Sequence, residues 1–123
     1  MSKAIYIASK TKWAHLWRGL RSIGVNIIST WIDEAGQGET KDKSELAVRC
    51  IRECALCDAI IVYREDGEYL KGAFIEMGAA LALDRTVYIV GPVLPEDNVF
   101  FAHPNIVKAN SVEEAIEQIN AHQ

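Results

Sequence analysis

A single carboxylate stands in the stretch GAFIEMGAALAL, residues 72–83, where the other positions are apolar side chains or glycine. In a helix that begins near Leu70, the neighbours of Glu76 one turn away are all glycine or alanine: Gly72, Ala73, Ala79 and Ala80. Side chains this small do not bury a carboxylate themselves, but they let a ligand or another backbone come close to it. Glu76 is therefore the first candidate catalytic residue, and a structural acid that hydrogen-bonds a neighbouring loop is the alternative.

Three cysteines, Cys50, Cys54 and Cys57, form the pattern C-x3-C-x2-C. The pattern resembles the cluster-binding signature of radical SAM enzymes, in which three thiolates hold a [4Fe-4S] cluster. In those enzymes the motif follows the first strand of a much longer barrel. Here it lies in an amphipathic helical segment, with Cys50 and Cys54 on the packing face. We expect buried, reduced core thiols, no metal site and no other cofactor.

Two loops and a tryptophan offer further contacts for a ligand. The segment VFFAHPN, residues 99–105, holds Phe100, Phe101 and His103, which either form an aromatic lid over a base or pack onto their own fold. The polar segment DEAGQGETKDK, residues 33–43, is either a mobile connection or a lid over a sugar. Trp31 stands next to the end of an apolar run, so we expect it to contact the ligand.

Length and charge limit the classes of protein that the chain can represent. With 123 residues, half of them hydrophobic, it suits one sizeable core, and we expect a single domain over residues 1–123. The net charge of −4 disfavours a surface for duplex nucleic acid. No apolar run is long enough to span a bilayer, and no charged-then-apolar leader is present. We expect a cytoplasmic protein without nucleic-acid or membrane partners.

Strand and helix patterns alternate along the chain. Nearly continuous β-branched runs predict strands covered on both faces at residues 4–9, 25–32, 58–63 and 86–91, with a short fifth strand at 105–110. Helical spacing predicts a first helix ended by Gly24, a second from Ser44 to Cys57, a third around Glu76, and a last one after the capping box SVEE, residues 111–114. The expected inward residues of the first two helices are Trp13, Leu16, Trp17, Leu20 and Ile23, then Leu46, Ala47, Cys50, Ile51 and Cys54.

This alternation predicts a three-layer α/β fold of the flavodoxin-like or Rossmann-like type. We expect an open parallel sheet of about five strands, in the order 2-1-3-4-5, with helices on both faces. Ligands bind such sheets beyond the carboxyl ends of the strands. The informative segments are therefore those that follow each apolar run.

Four motifs carry a family resemblance: YIAS at residues 6–9, CDAIIVY at 57–63, KGAFIEMGAALAL at 71–83 and TVYIVG at 86–91. Together they resemble the nucleoside 2-deoxyribosyltransferase-like family over roughly residues 4–91. The resemblance implies that Glu76 is the nucleophile that attacks the anomeric carbon of a deoxyribosyl group and expels the base, as in a retaining glycosidase. It also implies that Tyr6 helps to position Glu76 and that Ser9 meets the sugar or its phosphate.

Two positions depart from the pattern of that family. An aspartate that assists the leaving base is replaced by Cys50, and an aspartate that holds the sugar hydroxyls is replaced by Leu70 and Lys71. Asp66, or Glu68 from the same loop, is the expected substitute for the second of these. With Ser9, Gly72 and Trp31, Asp66 completes the predicted substrate contacts.

The same order of strands and helices also resembles the TIR domain, in which a helix-borne glutamate cleaves the nicotinamide bond of NAD. Both resemblances imply cleavage of an N-glycosidic bond in a small nucleoside or nucleotide, with Glu76 as the reacting residue. A nucleotide-binding module that has kept the fold and lost turnover is the third hypothesis. The resemblance further implies a homodimer or a higher homo-oligomer.

Overall fold

The computed structural model of the chain describes residues 2–36, 41–92 and 99–121. Its elements in chain order are β1 (Ile5–Ala8), a 3-10 turn (Thr11–Trp13), α1 (Ala14–Ser22), α2 (Trp31–Glu34), α3 (Lys43–Leu56), β2 (Ala59–Tyr63), α4 (Gly72–Ala82), β3 (Thr86–Val90), a second 3-10 turn (Val99–Ala102), β4 (Ile106–Ala109) and α5 (Val112–Ala121). Within these ranges, every helix is too short or too polar to cross a bilayer.

The strands form one parallel sheet in the order β1-β2-β3-β4. The register aligns Tyr6 with Ile60 and Ile60 with Val87, and side chains alternate between the two faces. Tyr6 points to α4, which packs beside α3, whereas Tyr63 points to α1 on the opposite face. The strands are continuous apolar runs because helices cover both faces. The predicted parallel α/β fold is confirmed.

The strand predicted at residues 25–32 is wrong over most of its length. It contributes one β-bridge, between Ile27 and Ile5 on the outer edge of β1, and the chain then turns into α2. Side chains complete the edge: Ser29 Oγ accepts a hydrogen bond from the Ile7 amide at 3.1 Å, and Trp31 Nε1 donates to the Ile7 carbonyl at 2.8 Å. Because these side chains satisfy the backbone hydrogen-bonding groups of Ile7 in β1, the backbone of residues 25–32 need not stay extended as a full strand. The predicted order survives, with the second strand reduced to a bridge.

The predicted helices form, but two inward faces differ from the expectation. In the first helix Trp17 is buried, whereas Leu16 is 40% exposed and Ile23, which lies beyond the last turn, is 78% exposed. In α3 the stripe of Leu46, Cys50 and Cys54 packs inward, and the predicted Ala47 and Ile51 lie on the exposed side. This 14-residue helix packs mainly against one neighbour, α4, so it needs only one row of inward-facing side chains.

The helix ends that the sequence predicts are confirmed. Gly24 follows α1 with a φ of +107°, which a side chain disfavours. Ser111 Oγ accepts a hydrogen bond from the Glu114 amide at 3.0 Å at the start of α5. The start of α3 was not predicted in detail, and there Asp42 accepts a hydrogen bond from the Glu45 amide at 3.0 Å.

Candidate active site

Glu76 meets Tyr6 between α4 and the sheet. Tyr6 is fully buried in β1, and its hydroxyl donates a hydrogen bond to Glu76 Oε2. Glu76 lies one turn into α4, whose buried Ala73 and Ala80 allow the helix to approach the strands closely. The predicted pairing of the glutamate and the tyrosine is therefore built directly into the packing of α4 on β1.

Burial sets the protonation of this pair. Desolvation raises the pKa of Glu76 to about 7, although hydrogen bonds from Tyr6 and Cys50 act in the opposite direction. Burial and the adjacent carboxylate raise the pKa of Tyr6 far above its ordinary value, so the phenol remains a donor at neutral pH. The pKa of the Cys50 thiol is likewise raised by burial. At neutral pH the pair therefore sits close to the midpoint of carboxylate formation.

Glu76 lines a cavity of about 460 Å³ beyond the carboxyl end of β1. Its lining consists of Ser9, Lys10, Thr11, Trp31, Leu46, Cys50, Leu70, Lys71, Gly72, Ala73 and Glu76. The volume suits a small organic ligand. The charged side chains among these residues are one carboxylate and two ammonium groups.

Four of the predicted ligand-facing residues, Glu76, Ser9, Gly72 and Trp31, share this cavity, with Tyr6 directly behind Glu76. Ser9 Oγ donates to the Lys10 carbonyl at 2.9 Å and accepts from Trp17 Nε1 at 2.9 Å. Trp31 presents its ring, because its N–H is used by Ile7. Gly72 opens α4 and is exposed at the cavity.

The structure does not bring Asp66 to this cavity. Asp66 lines a second cavity of about 740 Å³ on the other side of the sheet, between α1 and α5. Glu68 does not replace it, because its carboxylate is buried and accepts hydrogen bonds from Trp13 Nε1 and the Glu65 amide, both at 2.9 Å. These bonds hold the loop after β2 against the 3-10 turn that precedes α1, on the side of the sheet away from Glu76.

Seven of the eleven residues that line the cavity were not predicted to bind a ligand, and three of these seven carry a thiol or an ammonium group. Cys50 was expected to be a core thiol, yet it is half-buried and faces Glu76 and Tyr6 from α3. Lys10 and Lys71 flank the same cavity and are exposed. A signal for Lys10 was available, since it follows the first strand at the edge where ligands bind.

The two expected lid segments have different outcomes. Phe101 packs edge-on against Phe74 of α4, with ring centroids 5.7 Å apart, and His103 Nδ1 accepts a hydrogen bond from the Asn105 amide at 3.0 Å. This part of the loop therefore packs onto its own fold. Of the polar segment at 33–43, residues 37–40 lie outside the described ranges.

The other two cysteines are structural. Cys54 and Cys57 are buried, and Cys57 Sγ donates a hydrogen bond to the Cys54 carbonyl at 3.1 Å. Burial is the main reason that the pKa of Cys57 rises to about 11. Across residues 2–36, 41–92 and 99–121, no three His, Cys, Asp or Glu side chains are grouped so that they could hold a metal ion.

Comparisons with known proteins identify the fold. No protein-family model matches the sequence, and no curated protein matches it. Among solved structures, 98% of the chain aligns with 99% of a 2-desoxiribosyltransferase from Leishmania mexicana, with a TM-score of 0.72 and 17% identity. It is also similar to the CMP N-glycosidase BcmB from Clostridium botulinum, with 98% of this chain aligned to 100% of that one, a TM-score of 0.61 and 15% identity.

A third similar structure is a 2-deoxyribosyltransferase from Bacillus psychrosaccharolyticus, with a TM-score of 0.64 and 15% identity over 98% of this chain and 92% of that one. All three alignments extend over nearly the whole chain, including the elements that carry Tyr6 and Glu76. The chain therefore has the fold of the 2-deoxyribosyltransferases and of the CMP N-glycosidase, as the resemblance in its motifs implied.

Proposed function

We propose that the chain is an enzyme that cleaves the N-glycosidic bond of a nucleoside or nucleotide, as a 2-deoxyribosyltransferase or an N-glycoside hydrolase, with Glu76 as nucleophile. The observation that supports the proposal most is the hydrogen bond from buried Tyr6 to Glu76 at the wall of a ligand-sized cavity. A carboxylate held this way, with a pKa of about 7, is poised to react at neutral pH. The solved structures with the same fold bear the names of enzymes of both kinds.

The reaction follows from the geometry of the pair. Tyr6 donates to Oε2 of Glu76 and orients the carboxylate at the cavity wall, and the other oxygen, Oε1, attacks C1′ of the sugar. As the O–C1′ bond forms, the C1′–N bond breaks and its electron pair leaves with the base. Attack on the resulting ester by water gives hydrolysis, and attack by a second base gives transfer. Either step regenerates the carboxylate.

The entrance of the cavity favours a phosphorylated substrate. Lys10 and Lys71 place two exposed ammonium groups beside the cavity, together with the backbone and hydroxyl groups of Ser9 and Thr11. Lysine is a common ligand for phosphate in proteins. We therefore expect 5′-monophosphates to be better substrates than nucleosides, with the ring of Trp31 against the sugar or the base.

A second candidate function is cleavage of the nicotinamide bond of NAD by the same glutamate. One observation favours it: the position next to Glu76 is occupied by the thiol of Cys50, whose raised pKa makes it a poor proton donor. Nicotinamide in NAD carries a positive charge and leaves as a neutral molecule without receiving a proton. An acid beside Glu76 is therefore dispensable for this substrate.

Release of free base tests both candidates and the non-catalytic alternative. The protein would be incubated with deoxynucleosides, their 5′-monophosphates, ribonucleotides and NAD, and the free base measured by chromatography. We expect release by the wild type and none by Glu76→Gln, which keeps the size of the side chain and removes the charge. Nucleotide binding without base release from any substrate would refute the enzyme and support a binding module.

A covalent trap tests the role of Glu76 separately. A 2-fluoro-2-deoxyarabinosyl nucleotide should accumulate as an ester, because fluorine destabilises the oxocarbenium-like state and slows release. Intact-mass spectrometry should show one added fluorinated sugar phosphate, and peptide mapping should place it on Glu76. Turnover of natural substrate with the sugar attached to another residue would remove Glu76 as the nucleophile.

Assembly and compartment are further parts of the proposal. Large apolar side chains on the outer faces of α3 and α4 are between 40% and 68% exposed: Val48, Ile51, Leu56, Ile75 and Leu83. Side chains of this kind on adjacent helices suit an interface with a second copy of the chain. The free thiols of Cys54 and Cys57 suit a reducing compartment such as the cytoplasm.

A further inference from the structure

In the part of the chain that the structure describes, the wall beside Glu76 lacks a second acid. Of the described residues that line the cavity, Glu76 carries the one carboxylate, and the side chain that faces it from α3 is the thiol of Cys50. Cys50 belongs to the buried stripe of α3, so the packing of α3 on α4 fixes this position. Any base expelled by Glu76 therefore departs next to a neutral thiol.

The proton donors at the cavity are poorly suited to a neutral base. A neutral base needs a proton as its bond to C1′ breaks, or it must leave as an anion. Tyr6 gives its proton to the hydrogen bond with Glu76, and the Trp31 N–H is used by the Ile7 carbonyl. The lysines are exposed at the rim, and the Cys50 thiol is held neutral by burial.

We infer that the site is built for N-glycosides whose base is already cationic, such as pyridinium or N7-alkylpurinium nucleotides, and that Cys50 sets this preference. The inference rests on the proposed function of Glu76. When the C1′–N bond breaks, its electron pair neutralises the positive charge of the base, which leaves without a proton. The negative charge of Glu76 is consumed in the ester, so that an ion pair becomes two neutral products.

The charges around Glu76 agree with such a substrate. Among the described residues, the titratable and charged groups around Glu76 are Tyr6 from β1, Cys50, Glu53 and Cys54 from α3, and Lys10 and Lys71 at the rim. On the α3 side, Glu53 adds a negative charge near Glu76. A cationic base between α3 and α4 would be attracted by both carboxylates. A third carboxylate at position 50 would instead compete with Glu76 for protons.

A matched pair of substrates tests the preference. GMP and 7-methyl-GMP have the same sugar and phosphate and differ by one methyl group that makes the base cationic. After subtraction of the uncatalysed rates, we expect kcat/KM of the wild type to be at least about 100-fold higher for 7-methyl-GMP, the lower end of what a missing general acid costs. The deoxyribose pair would be measured in parallel, in case the enzyme requires deoxyribose.

Two variants separate the chemistry of position 50 from its packing. Cys50→Asp supplies an acid and should bring the ratio of the two rates to within about tenfold, with a new loss of activity on the neutral base at high pH. Cys50→Asn has nearly the same shape without the acid and should keep the preference of the wild type. Equal ratios in the two variants would mean that position 50 acts through packing and would overturn its assigned role.

The possible failures are distinguishable. If the wild type cleaves both substrates of a pair equally well and Glu76→Gln cleaves neither, the inference about the leaving base falls and the proposed function stands. If the wild type cleaves no substrate of either pair, the inference falls, and the proposed function falls with it only if no other nucleoside, nucleotide or NAD releases free base. Should Cys50→Asp fail to fold, the ratio of the two kcat/KM values of the wild type alone decides whether the site prefers a cationic base.

Discussion

At the scale of single residues, the cost of burying Glu76 should be visible in stability. Its pKa of about 7 in the folded chain exceeds the ordinary value of 4.5, so the folded state disfavours the carboxylate. The wild type should therefore lose stability as the pH rises from about 4.5 to about 7, by up to about 3 kcal/mol. Glu76→Gln should be more stable than the wild type at pH 8 and similar at pH 4, measured by urea unfolding. An equal difference at both pH values would contradict the burial argument.

The hydroxyl of Tyr6 should tune the pH dependence of catalysis. kcat/KM should rise with pH through about 7 as Glu76 loses its proton. Tyr6→Phe removes a hydrogen bond that lowers the pKa of Glu76, so the rise should move upward by about one pH unit. Tyr63→Phe is the matched control, because the Tyr63 hydroxyl donates to Glu65 on the other side of the sheet. A rise at the same pH in all three proteins would remove Tyr6 from the tuning of Glu76.

The sequence predicted the site residues whose position depends on strand ends. It missed those whose position depends on how a loop or a helix is oriented on the sheet. Glu76, Ser9 and Trp31 lie together because carboxyl ends of parallel strands share one edge of the sheet. Asp66 follows such an end too, but the hydrogen bond from Trp13 of the first 3-10 turn to Glu68 holds its loop on the opposite face. Cys50 was expected on the inward face of α3, but helical spacing does not show which residues of other elements that face will meet, and so it did not place Cys50 beside Glu76.

At the scale of elements, the edge of β1 depends on one hydroxyl. Ser29 is fully buried, and its Oγ accepts the hydrogen bond of the Ile7 amide. Ser29→Ala leaves that amide buried without a partner and should lower the free energy of unfolding by about 1 to 3 kcal/mol. Ser22→Ala, on the exposed end of α1, should change it by less than about 0.5 kcal/mol. Equal effects in urea unfolding would argue against the role given to Ser29.

Side chains also explain why a well-patterned segment does not form a strand. Residues 25–32 have the β-branched, apolar composition of a buried strand, and Ile27 does bridge to β1. Beyond that bridge, the Thr30 amide and hydroxyl donate to Glu53 of α3 at 3.0 and 2.6 Å. These bonds pull the chain from the sheet toward α3. Local periodicity cannot predict a bond to a residue so distant in sequence.

At the scale of the whole molecule, the outer faces of α3 and α4 should govern assembly. Ile75 is 68% exposed on α4 and is the most exposed of the large apolar side chains of these two helices. Ile75→Asp should therefore lower the molar mass measured by light scattering after size-exclusion chromatography. Ile23→Asp is the control, since Ile23 is 78% exposed after α1 and lies away from α3 and α4. A wild type that is monomeric at every concentration tested would refute the proposed assembly.

The indole of Trp31 links occupancy of the cavity to the solubility of the protein. The same side chain lines the cavity and donates a hydrogen bond to the Ile7 carbonyl at the outer edge of β1. An open strand edge is a template on which a strand of another molecule can pair, and such pairing begins aggregation. We therefore expect a ligand that holds the ring in place to keep this strand edge closed as well, and so to lower the tendency of the protein to aggregate.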